Sequence, residues 1–64
     1  MIEAIVVKDV RGETYVIVID NMFASVNDVL RDLYESGGDI YVFLDFCTLS
    51  GVQVVKAKEV IEYA

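Results

Sequence analysis

The stretch Asp39-Ile40-Tyr41-Val42-Phe43-Leu44-Asp45-Phe46-Cys47, followed by Thr48-Leu49-Ser50-Gly51 and Val52-Gln53-Val54-Val55, decides the fold of this 64-residue chain. From Ile40 to Phe46 the only charge is Asp45. A strand with one wet face alternates apolar with polar residues, whereas a strand covered on both sides reads as an unbroken apolar run. The stretch is therefore expected to be a strand, Asp39 to Cys47, paired with Gly51 to Val55 through a short turn ending in glycine. Ile2 to Val7 and Tyr15 to Ile19 have the same character, with Glu3 as their one charge.

Working toward the N-terminus, Ile2 to Lys8 and Glu13 to Asp20 form the arms of a first hairpin. Its turn is Asp9-Val10-Arg11-Gly12, in which Asp9 suits the first position and Gly12 the positive φ that closes the loop. Between the two hairpins lies a helix with both ends marked. Ser25 and Asp28 have the capping-box spacing, and Gly37-Gly38 supplies the left-handed closure. Val26, Val29, Leu30, Leu33 and Tyr34 follow the i, i+3, i+4, i+7, i+8 pattern of a core-facing stripe. The tail reads either as helix, from Ala57, Val60, Ile61 and Ala64, or as a short closing strand over Val60 to Tyr63. β-branched neighbours and an otherwise open sheet edge favour the strand. The expected architecture is a single α+β domain over residues 1–64, β-β-α-β-β with a fifth strand possible, in which one helix packs on a face of an antiparallel sheet.

A domain of about 60 residues buries only about 60% of its unfolded surface and needs help from elsewhere. Cys47 is the single cysteine and histidine is absent, so an internal disulfide is excluded and neither a zinc site nor any other cofactor is expected. With 56% hydrophobic residues and one helix to cover the sheet, the second sheet face is expected to meet another copy or another protein. The longest uncharged stretch, Phe46 to Val55, is 10 residues, against the roughly 20 that a membrane helix needs. Met1-Ile2-Glu3 opens with no basic region, so no signal peptide is expected and the cytoplasm is the expected location. A net charge of −6 argues against direct contact with nucleic acid, which is bound through clustered Lys and Arg.

Catalysis would need convergent reactive groups. Without histidine, the commonest general base is missing, and Cys47 at the end of an apolar run reads as a packed thiol. The acidic residues are scattered, and the glycines have turn or cap explanations. What stands out is Asp45 inside an apolar run, either an edge-strand charge or a polar contact to a partner, and Met22-Phe23 where a connection would normally be polar. Met22-Phe23 either plugs the end of the core or forms an exposed anchor. Met22, Phe23, Tyr41 and Asp45 are the candidate protein-binding residues. The expected function is a non-catalytic interaction module of the accessory or phage-type kind. It would form a homodimer or larger oligomer, and bind and regulate or inhibit another protein. One alternative is a nucleic-acid mimic that uses Asp28, Asp32 and Glu35 against a basic groove. Another is an enzyme whose site, around Asp45 or Cys47, is assembled at an oligomer interface.

Overall fold

The first hairpin forms as its residues dictate. A computed structural model describes residues 1–57 and places β1 at Ile2–Lys8 and β2 at Thr14–Asp20, antiparallel, with Ile5 opposite Ile17. Asp9 organises the turn: its carboxylate accepts from the backbone N–H of Arg11 at 2.9 Å and of Glu13 at 3.1 Å. Gly12 takes φ +81° there. Helix α1, Val26–Glu35, carries the full capping box between Ser25 and Asp28, and Gly37 and Gly38 both take positive φ after it.

The stretch from Ile40 folds differently from expectation: Ile40–Phe46 is a second helix, α2. Three features outweigh its β-branched and aromatic content. Asp39 caps the helix, accepting from the N–H groups of Tyr41 at 3.0 Å and Val42 at 3.4 Å. Arg11 reaches across from the hairpin turn and donates to both carboxylate oxygens of Asp39, at 3.0 and 2.8 Å, so the turn holds the start of the helix. Ile40, Phe43 and Cys47 then share one side at helical spacing; Ile40 and Phe43 are fully buried and Cys47 packs against the same cluster.

Consequently the expected hairpin between Asp39 to Cys47 and Gly51 to Val55 does not form. β3, Val52–Lys56, pairs antiparallel with β2 instead, so the described residues form a three-stranded sheet in the order β1-β2-β3 with β2 central. The order is β-β-α-α-β, still α+β, with the α1–α2 pair on one face of an antiparallel sheet. The fifth strand considered for the tail falls outside the described residues.

The core lies between the sheet and the helices. Tyr15, Ile17 and Ile19 alternate inward along β2 and meet Val29, Ile40 and Phe43, with Ile5, Val7, Leu33, Val52 and Val54 packed around them. Each fully buried side chain of this size contributes about 1.5–3 kcal/mol. On α1 the inward side is Val26, Val29 and Leu33; Leu30 and Tyr34, expected in the core, are 44% and 84% exposed. With two helices over one face, the stripe that each must bury is narrower than a single helix would need.

Candidate protein-binding surfaces

Strand geometry sends alternate residues to opposite faces, so burying Tyr15, Ile17 and Ile19 turns Val16 and Val18 the other way. The register aligns Val6, Val16 and Val55 in one cross-strand row of that outer face, and Ala4, Val18 and Gln53 in the next. Ile2 lies at one end opposite Asp20, and Lys8 at the other end opposite Thr14. Ile2 and Val6 are 62% and 70% exposed. An antiparallel sheet with a wet face normally shows polar residues there, but this one shows mostly aliphatic ones.

The helix layer exposes apolar groups on the other side of the molecule. Tyr41, Val42, Leu44 and Phe46 project from α2, while Leu30, Leu33 and Tyr34 border a shallow, open depression with Gly37 and Gly38. Tyr41 and Asp45 are one helical turn apart and both exposed. Asp45 is therefore a solvated charge on a helix and not a charge on an edge strand. Met22 and Phe23 sit in the turn between β2 and α1, 77% and 64% exposed, so they do not plug the core. Phe23 lies against Gly51, where an added Cβ would stand 3.2 Å from its ring. The four candidate residues thus belong to two places, the outer side of α2 and the β2–α1 turn. The sequence pointed to a covered second sheet face without naming its residues, and it did not single out Leu44 or Phe46. The signal was present, because Ile2, Ala4, Val6, Val16 and Val18, the even-numbered positions away from the turn and the Asp20 end, are all apolar, like most of the odd ones.

The charged groups are mostly engaged in structure. Arg11 binds Asp39 and, at 3.2 Å, the buried carboxylate of Asp9, and its guanidinium stands 5.0 Å from the ring centroid of Tyr41. The hydrogen bonds from Arg11 hold the Asp39 carboxyl below the usual carboxylate range. Asp28 is lowered as well, chiefly by the Ser25 side chain and then by the Ser25 backbone N–H. The Tyr15 phenol is pushed up to about 12, first of all by the Tyr41 hydroxyl. On α1, Arg31 lies 3.3 Å from Asp28 and 3.9 Å from Asp32. It cancels much of the negative edge that mimicry of a phosphate backbone would need.

Among the described residues no group of three His, Cys, Asp or Glu side chains could hold a metal ion, and no helix is long and apolar enough to cross a membrane. Cys47 is a free thiol, half-buried at the end of α2. Comparison with protein-family models, with curated proteins and with solved structures yields no match.

Proposed function

We propose that this chain is a small, non-catalytic protein-interaction module that associates with itself and acts by binding, and thereby regulating or inhibiting, another protein. One observation carries the reading. Among the described residues thirteen large hydrophobic side chains are exposed while seven hydrophobic residues are buried. Scattered exposed apolar residues are ordinary, but here they gather on both sides of one thin sheet-and-helix domain. Two separate surfaces fit two partners: a copy of the chain on one side and a different protein on the other. On the helix side Tyr41 offers an aromatic anchor with the charge of Asp45 at hand, and Phe23 offers a second aromatic anchor in the β2–α1 turn, the composition favoured at interface centres and rims.

The test is affinity capture from extract of the source organism, comparing the wild-type chain with Phe23→Ala, Asp45→Ala and a triple variant that neutralises Asp28, Asp32 and Glu35. Loss of a specific captured protein with Phe23→Ala or Asp45→Ala, and its retention by the triple variant, supports the reading. Capture that survives the apolar changes and fails on charge neutralisation would overturn it in favour of charge mimicry.

A further inference from the structure

We propose that the outer face of the sheet is covered by the same face of a second copy, with the strands of the two copies antiparallel so that Lys8 of each reaches Asp20 of the other. This rests on the self-associating reading above and specifies its surface and orientation. Lys8 and Asp20 lie at opposite ends of the outer face, set by the pairings Lys8 with Thr14 and Ile2 with Asp20. Neither has an ion-pair partner among the described residues.

Sheets that pack face to face keep their strands within about 30° of alignment, so a two-fold axis can run along the strands or across them. Along the strands, it brings the Lys8 ends of the two copies together and the Asp20 ends together. Across the strands, it lays each Lys8 above Ile2 of the other copy, one strand away from that copy's Asp20. The second choice pairs opposite charges twice. It also sets the row Val6, Val16, Val55 over the partner's row Ala4, Val18, Gln53, with the larger Val6 above the smaller Ala4. The face is thus complementary to itself in one orientation.

Its size fits a modest dimer. Two strands of seven residues and one of five, about 4.8 Å apart with a rise of about 3.3 Å per residue, span roughly 300 Å² in projection. Side-chain relief enlarges the accessible area beyond this, so a face-to-face pair falls near the ~1,000 Å² total at which specific interfaces begin. Dissociation is expected at micromolar concentration.

The experiment is analytical ultracentrifugation of the full chain across a concentration series. Wild type should dimerise. Val6→Glu puts a carboxylate where the monomer is open to water, so the fold should survive by circular dichroism while the dissociation constant rises about 100-fold from burial of an unpaired charge. Leu44→Glu, on the helix layer, should leave the dimer intact. Lys8→Asp and Asp20→Lys should each weaken dimerisation about tenfold, because each reverses two symmetry-related pairs. Their equimolar mixture should restore dimerisation, and so should the double variant Lys8→Asp/Asp20→Lys. A dimer that tolerates Val6→Glu and fails with Leu44→Glu would overturn this surface while leaving self-association standing. Charge swaps without effect, or a double variant that fails to restore, would overturn the antiparallel orientation. A monomeric wild type at every concentration would overturn the self-associating reading itself.

Discussion

If α2 is a helix, Ile40 and Phe43 are core positions while Val42 and Leu44 are not. As a strand, Ile40, Val42 and Leu44 would instead share one face. Alanine substitution separates the two patterns. Phe43 has no exposed surface and packs in the cluster of Ile17, Ile19, Val29 and Ile40. Phe43→Ala should therefore cost about 3–5 kcal/mol through lost burial and the cavity left behind, and Ile40→Ala about 2–5. Val42 and Leu44 are roughly half exposed. Replacing them on a helix surface should change stability by less than about 1 kcal/mol, since alanine is itself the best helix former. A domain of this length is expected to hold only about 3–10 kcal/mol in all. At a urea dependence near 1 kcal/mol/M, the Phe43 loss would move the midpoint by about 3 M or leave no folded state to titrate. The assay is urea unfolding followed by circular dichroism at one fixed protein concentration, because association would otherwise shift the midpoints. Matching losses for Val42→Ala and Phe43→Ala would refute the helical register and return the stretch to a strand.

Three further outcomes follow from the same geometry. Leu33→Ala should destabilise by about 2–3 kcal/mol and Leu30→Ala by less than about 1, because only Leu33 packs against the core; similar midpoints for the two would misplace the α1 face. Gly51→Ala should cost about 1–3 kcal/mol, since φ is +75° and the new methyl would press on Asp20 and Phe23 at 3.2 Å; an unchanged urea midpoint would contradict this. The Asp39 carboxyl is held low in the fold, so its contribution is present above the unfolded value near 4 and is lost as the pH falls through the folded value. The stability gap between wild type and Arg11→Gln should therefore be widest at neutral pH and begin to narrow as the pH falls below about 4, so that urea midpoints at pH 3 differ less than those at pH 7.

The parts of the fold legible in the sequence were those with local chemical punctuation. Asp9 and Gly12 mark the first turn, Ser25 with Asp28 marks the start of α1, and all of them do in the structure what their side chains allow. The run from Ile40 was misread because every template fits a sequence in which nearly all positions are apolar. The period of 3.6 was hidden by Tyr41, Val42, Leu44 and Phe46, which are apolar and yet face outward. Gly37-Gly38-Asp39 does contain a helix stop followed by a helix start, and Asp39 acts as that cap. What no local rule contains is Arg11, 28 positions away, bonding to Asp39 and so fixing the helix in place.

The same residues that obscured the fold carry the argument about function. A surface residue that must only meet water can be polar at no cost to folding, and a polar Val42, Leu44 or Val6 would have sharpened the pattern that specifies the structure. Keeping them apolar weakens that specification and adds exposed surface that favours aggregation. A second copy on the sheet face and a partner protein on the helix face would each turn this liability into buried area. Under the proposed function, ambiguity at the level of sequence and exposure at the level of structure would have one cause: side chains kept apolar for contacts that lie outside the single chain.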